Sequence, residues 1–137
     1  MEDKNIKKID LYKKEKCQQL VKSFPKIDEI ILHKIENEFE AINEEMKKGI
    51  VVSSFSIPNE IIVWVNKFYE LELSDINYID NHKCIENKEI NELTLDEILT
   101  ELTFYIRQDR FCTGLLANEI KNGTLEKLIK HLDEFIQ

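Results

Sequence analysis

The chain has 137 residues, a length typical of one domain with its own hydrophobic core. A hydrophobic fraction of 42% excludes a disordered chain, and no apolar run approaches the roughly 20 residues of a membrane-spanning helix. The formal net charge is −8. Three widely spaced cysteines indicate reduced thiols and a cytoplasmic location, and the lack of a long apolar run predicts no membrane association. With only three glycines and two prolines, the composition predicts an all-α fold of about five to six helices.

The N-terminal part, residues 1–57, is predicted to form two helices and a connector. Apolar residues recur at three- and four-residue spacing over 4–22 and again over 26–48, and Gly49 stands where a left-handed residue can end the second helix. Residues 50–57 are rich in Val, Ile and Ser. They predict an extended segment, at most one short strand, in a fold that is otherwise helical.

Residues 58–137 complete the predicted single domain. Pro58 is placed to open a helix over 59–71, because a proline lacks the amide that would have no partner there. This helix is apolar on several sides, so we expect it to be the central buried element, with Trp64 in the core. The stretch 73–93 is rich in Asn and Asp, lacks helical periodicity and predicts a loop.

The last third of the chain carries the clearest helix signals. Thr94 and Glu97 have the spacing of a capping box and predict a helix over 94–108. A short helix over 114–122 and a last helix from Thr124 follow. From these patterns we expect one buried cluster that includes Trp64, Phe68, Leu102, Ile106, Phe111 and Leu128.

Arginine occurs only twice, at Arg107 and Arg110, in a chain whose other seventeen basic residues are lysines. Because a guanidinium is a planar fork of donors, such a pair indicates a position that needs bidentate hydrogen bonding. In one interpretation both arginines and the free amides of the following helix bind a phosphate or carboxylate, and Gly114 lets that ligand approach closely. The residues of this candidate anion site are Arg107, Asp109, Arg110, Phe111, Thr113 and Gly114.

The alternative interpretation of these residues is structural. Asp109 would then cap the following helix, one arginine would pair with an acid such as Glu101 or Glu119, and Phe111 would fill the core between helices. In either case we expect Arg107 to be held inside the protein and Arg110 to be the more exposed of the two, since it lies beyond the helix end.

Motifs of catalysis and metal binding are missing from the sequence. It contains no phosphate-binding glycine loop, no nucleophile elbow and no zinc-protease motif. His82 and Cys84 form the only close pair of potential metal ligands, so no metal and no cofactor are predicted. Cys112 lies next to the arginines but far in sequence from a histidine that could act as its base, and we interpret it as a small buried residue.

The segment from Phe104 to Leu132 resembles the C-terminal signature of a bacterial family of unknown function, DUF6508. The resemblance covers residues 93–136, extends more weakly over 58–93 and does not include 1–57. The resemblance implies a compact helical domain and does not imply any enzymatic activity. The residues that match the signature in place are Arg107, Asp109, Arg110, Phe111, Gly114, Gly123 and Leu132.

Charge is distributed unevenly along the chain. Residues 1–26 carry a net charge of +4 and the remaining residues −12, so the basic first helix is expected to lie against the acidic body rather than to bind nucleic acid or lipid directly. The acidic body indicates docking on a protein partner, including a basic nucleic-acid-binding protein that it would inhibit. The sequence therefore favours a non-catalytic interaction or regulatory module. The alternative is a site, or an enzyme, for a small phosphorylated or nucleotide-like ligand at Arg107 and Arg110.

Overall fold

A computed structural model describes residues 2–50 and 55–137, with side chains from residue 11 onward within those ranges. These residues contain seven α-helices, one 3₁₀-helix and no β-strand, which confirms the all-α prediction for them and exceeds the predicted helix count by one. None of the described helices is both long enough and apolar enough to cross a bilayer. The helices are α1 (Glu2–Ser23), α2 (Glu29–Lys47), α3 (Asn59–Glu70), α4 (Tyr78–Ile85), α5 (Leu95–Gln108), α6 (Leu115–Lys121) and α7 (Thr124–Ile136), and the 3₁₀-helix is Ile90–Glu92.

The additional helix is α4, which lies within the stretch 73–93 that the sequence predicts to be a loop. The prediction was wrong because Asn and Asp have low intrinsic helix preference, whereas tertiary contacts decide the conformation here. Tyr78 and Ile85 are buried, and α4 packs along α5. Contacts that are distant in sequence therefore stabilise a helix that the local pattern does not indicate.

Local capping signals, in contrast, are found where they were predicted. The side chain of Thr94 accepts a hydrogen bond from the amide of Glu97, and the Glu97 carboxylate accepts one from the amide of Thr94. Gly49 follows α2 with φ +79, as a left-handed cap requires. The start of α2 is displaced from the predicted position, because Asp28 caps it and accepts a hydrogen bond from the amide of Ile31 at 3.0 Å.

The extended segment predicted over 50–57 falls mainly outside the described residues, which exclude 51–54. Ile50 and residues 55–58, which flank this gap, have no regular secondary structure.

One hydrophobic cluster contains buried side chains from all seven helices, and α5 and α7 contribute the most members. The helix α5 packs against α4, α6 and α7, and α7 also packs against α1 and α6. The prediction that α3 is central was wrong: it buries Trp64, whose indole nitrogen donates to the carbonyl of Leu20 at 3.1 Å, but it exposes Ile62 and Val63. The apolar residues of α3 therefore exceed what its single packed face can bury.

The predicted cluster is confirmed for five of its six members, namely Trp64, Phe68, Leu102, Ile106 and Leu128. The sixth, Phe111, is 79% exposed. Its amide donates to the carbonyl of Gln108 in a turn that follows α5, so Phe111 does not continue the buried face of that helix.

The basic first helix contacts the acidic body, as its charge predicts. Lys13 of α1 forms an ion pair with Asp96 in the first turn of α5. The helix also packs against α7 and α3. At least one of its lysines is therefore directed at a carboxylate of the same chain.

Candidate functional site

The two arginines of the predicted anion site lie at the end of α5 and in the loop that follows. Arg107 is half-buried in the last turn, and its guanidinium carbon lies 5.8 Å from the centre of the Tyr78 ring. Arg110 is exposed, as expected. Among the side chains that the structure describes, neither arginine forms an ion pair with a carboxylate. Arg107 therefore lies against an aromatic ring, and the ion pair that the structural interpretation expects for one of the arginines is not found among the described side chains.

Asp109 fixes the start of α6. Its Oδ1 accepts a hydrogen bond from the amide of Leu116 at 3.0 Å. Burial raises the pKa of Asp109, although hydrogen bonds from the amides of Leu116 and Leu115 act in the opposite direction. Asp109 therefore has the capping role of the structural interpretation, and it occupies an amide that an anion at this helix would need.

Gly114 lies beneath two aromatic rings. Its φ is +84, and a Cβ at this position would lie 3.1 Å from Cε1 of Phe39 and 3.2 Å from Cδ2 of Phe55. The two rings contact each other, with centroids 4.7 Å apart. The space that a ligand was expected to enter at Gly114 is therefore filled on this side by the protein itself.

Residues 109–114, which we call the motif loop, display several side chains to solvent between these two anchors. Phe111, Cys112 and Thr113 are exposed together with Arg110. The prediction that Cys112 is buried was wrong for the same reason as that for Phe111: the turn after α5 directs this stretch outward. The structure thus places arginine and phenylalanine side by side on an exposed loop whose two ends are held.

A histidine of α4 and a glutamate of α5 form a pair that no motif in the sequence indicates. His82 Nδ1 lies 3.0 Å and 3.1 Å from the two carboxylate oxygens of Glu101. The imidazole ring stacks on Phe104 with a centroid distance of 3.6 Å. Burial raises the pKa of Glu101, whereas the charge and the hydrogen bond of His82 act to lower it. The pair was not predicted because its histidine lies on the helix that the sequence pattern did not indicate.

This His82–Glu101 pair borders a small cavity of about 120 Å³. Tyr105 also lines it, and burial, followed by the charges of Glu101 and Glu119, raises the pKa of Tyr105 to about 12. The phenol therefore stays protonated at neutral pH. A carboxylate and an imidazole in contact can exchange a proton, but this cavity is far smaller than the roughly 300–1,000 Å³ of a typical ligand pocket. We therefore interpret the pair as a structural contact that connects α4 to α5.

Two adjoining clefts run along α1 and form what we call the α1 groove. The larger has a volume of about 530 Å³ and lies between α1, the α3–α4 connection and α5. The smaller, of about 290 Å³, continues between α1 and the end of α3. The residues that line both clefts are Tyr12, Lys16 and Glu72.

Asp75 organises one wall of the α1 groove. Its carboxylate accepts hydrogen bonds from Thr100 Oγ1 at 2.7 Å, from Asn81 Nδ2 at 2.8 Å and from the amide of Asn77 at 2.9 Å. Its own amide donates to Thr103 Oγ1 at 3.0 Å. Burial acts to raise the pKa of Asp75, but these hydrogen bonds together lower it, so the carboxylate stays charged. The α3–α4 connection is thereby attached to α5.

The described residues include no cluster of three or more His, Cys, Asp or Glu side chains that could hold a metal ion. All three cysteines are free, and burial raises the pKa of the Cys17 thiol to about 11, which makes it unreactive.

The chain matches a family described as "Family of unknown function (DUF6508)" over residues 13–137. The match includes residues 13–57, so the expectation that the resemblance does not reach residues 1–57 was wrong for that part of the chain. No curated protein and no solved structure matches the chain.

Proposed function

Because the chain belongs to the DUF6508 family, whose function is unknown, we propose a role from its own surface: a non-catalytic interaction module that binds a partner protein through the motif loop. The observation that carries this proposal is the exposed Phe111 beside Arg110, with Arg107 close by in sequence and free of a carboxylate partner among the described side chains. Aromatic residues and arginine supply most of the binding energy at protein interfaces.

The anchoring of the motif loop supports a binding role. Asp109 accepts a hydrogen bond from the amide of Leu116, and aromatic rings cover Gly114 on one side, so both ends of the loop are fixed before a partner binds. A contact surface that is ordered in advance binds with a smaller entropic cost. The exposed phenylalanine contributes little to folding and is available to enter a pocket of a partner.

The charge of the rest of the molecule supports a basic partner. With a formal net charge of −8, the protein attracts basic surfaces and repels nucleic acid and other polyanions. A nucleic-acid-binding protein is one such partner, and an acidic module that covers its basic surface would inhibit it. Opposite charges on the acidic body would accelerate the encounter, whereas Phe111 would fix its position by entering an apolar pocket of the partner.

The alternative proposal is a phosphate or nucleotide-like ligand at Arg107 and Arg110. The lack of a carboxylate partner among the described side chains favours it, since a guanidinium without a counter-charge can receive an anion. Two observations weigh against it. Asp109 already occupies the amide of Leu116, and aromatic rings cover Gly114 on one side.

The interaction proposal is tested by capture from a lysate of the native host, with the tagged full chain as bait and mass spectrometry as the readout. Phe111→Ala and Arg110→Ala should lose proteins that the wild type captures. Val63→Ala is the matched control, because Val63 is an apolar residue of α3 that is 66% exposed. If the Phe111→Ala bait retains every protein that the wild type and the Val63→Ala control capture, the motif loop is not the contact surface.

The same variants separate the alternative from the main proposal. A rise in melting temperature of the wild type in the presence of inorganic phosphate or nucleotides, absent from Arg107→Lys and Arg110→Lys, would support an anion site. No rise with any of these ligands would leave the interaction module as the remaining proposal.

A further inference from the structure

We infer that the α1 groove is a docking surface for a short basic segment of a partner protein, a segment that carries one large apolar residue. The inference rests on the proposed function only in assuming a protein partner, since the groove consists of residues other than the motif loop. Its support comes from the apolar residues of the larger cleft and the charges of the smaller one.

The larger cleft offers an apolar floor and exposed apolar walls. Leu73 and Leu99 line it and are otherwise buried, so they form its base. Ile76 is 89% exposed and Tyr12 is 64% exposed, and both line the same cleft. An apolar side chain that enters between them would remove hydrophobic surface of both molecules from water.

The smaller cleft is acidic and lacks a matching number of cations. Glu15, Glu70 and Glu72 line it with Lys16 as the one basic residue, and the ammonium of Lys16 lies 4.5 Å from the centre of the Tyr12 ring. None of these three glutamates forms an ion pair among the side chains that the structure describes. Carboxylates that share a cleft without counter-charges favour an occupant with lysine or arginine.

The other charges of the groove do not reverse this preference. Lys13 lines the larger cleft but is paired with Asp96, and Asp75 remains charged within its hydrogen-bond network. The two clefts together therefore present more negative than positive charge. An acidic or phosphorylated segment would meet repulsion along the groove, whereas a basic one would be attracted.

The dimensions of the groove define the spacing of the occupant. Tyr12 and Gln19, the first and last residues of α1 that line it, are seven positions apart, or about 10 Å along a helix. An extended chain covers about 10 Å in three residues. Because the two clefts share lining residues, the occupant should place its apolar residue in the larger cleft and a basic residue in the smaller one, no more than about three positions away.

The test is fluorescence anisotropy with a labelled decapeptide of glycine and serine that carries one leucine and, three positions later, two arginines. Glu15→Gln with Glu70→Gln should weaken binding about fivefold, as expected for two exposed ion pairs. The matched control is Glu36→Gln with Glu40→Gln, which changes the net charge equally at two exposed acids of α2 outside the groove. It should change binding less than about twofold.

Two further variants test the apolar part and separate this inference from the proposed function. Ile76 is too exposed to stabilise the fold, so Ile76→Ser should fold normally. This variant should bind the leucine-containing peptide more weakly than the wild type does. It should bind a control peptide, in which serine replaces the leucine, as the wild type does. Phe111→Ala should bind the peptide as the wild type does. The groove inference would be overturned if the double variants in the groove and in α2 weakened peptide binding equally, or if the wild type showed no saturable binding of the peptide. Either result would leave the motif-loop proposal unaffected. Groove binding without any effect of Phe111→Ala on capture would overturn the loop alone.

Discussion

The replacement of Gly114 by alanine tests the anchoring of the motif loop, and the chain supplies its own control. Gly114 and Gly123 both precede a helix, and both lie in the left-handed region, with φ +84 and φ +87. A Cβ at Gly114 would lie 3.1 Å from Phe39 and 3.2 Å from Phe55, whereas a Cβ at Gly123 would meet nothing within 4 Å. The two substitutions therefore share the backbone effect and differ in packing.

The expected free energies follow from these two contributions. An alanine in the left-handed conformation costs about 1–2 kcal/mol at either position. Overpacking adds about 1–3 kcal/mol at Gly114 alone, because the Phe39 and Phe55 rings must move. Gly114→Ala should thus lower the free energy of unfolding by about 2–5 kcal/mol and Gly123→Ala by about 1–2 kcal/mol. Effects of glycine on the unfolded chain are similar for both and cancel in the difference.

Urea denaturation followed by the fluorescence of Trp64 measures both variants, since this buried tryptophan reports on the core. In a Phe39→Leu background the additional loss at Gly114 should become smaller, because the smaller side chain relieves the crowding. Equal destabilisation by the two alanines, or an additional loss that Phe39→Leu does not reduce, would refute the packing of the aromatic rings against Gly114.

Three further predictions follow from burial and from the pKa shifts. Phe111→Ala should change the free energy of unfolding by less than about 0.5 kcal/mol, whereas Phe68→Ala should cost about 3–5 kcal/mol, and denaturation curves that rank them otherwise would contradict the assignment of the core. The pKa of Glu101 is raised above 4.5 in the folded state, so its contribution to stability is present below pH 4.5 and is lost as the pH rises through the pKa of the folded state. Over this pH range the wild type should lose stability relative to Glu101→Gln. The lowered pKa of Asp75 has the opposite sign: its contribution is present above pH 3.8 and is lost as the pH falls through the folded value, so acid should destabilise wild type more than Asp75→Asn.

The helices that the sequence predicts well are those with signals in adjacent residues. The capping box of Thr94 and Glu97 and the left-handed Gly49 are properties of a few consecutive positions, and the structure contains both. The helix α4 has no such signal. Its stability depends on contacts with α5, which become visible only when the chain is folded.

The candidate site was predictable in part for the same reason. The grouping of Arg110 with Phe111 follows from sequence adjacency, and the capping role of Asp109 follows from its position before a helix. The exposure of Phe111 could not be predicted, because residue type favours burial and a single turn decides otherwise. The α1 groove combines three segments that are far apart in the chain, so no local pattern indicates it.

The three cysteines differ in solvent accessibility, so their rates of chemical modification can show which surface of the protein a partner covers. Cys112 is exposed within the motif loop, Cys84 is exposed on α4, and Cys17 is buried with a raised pKa. A maleimide or iodoacetamide should therefore label the first two in the native state and leave the third unmodified. Ratiometric footprinting by mass spectrometry, with Cys84 as internal reference, can map a partner onto the loop without any engineered tag.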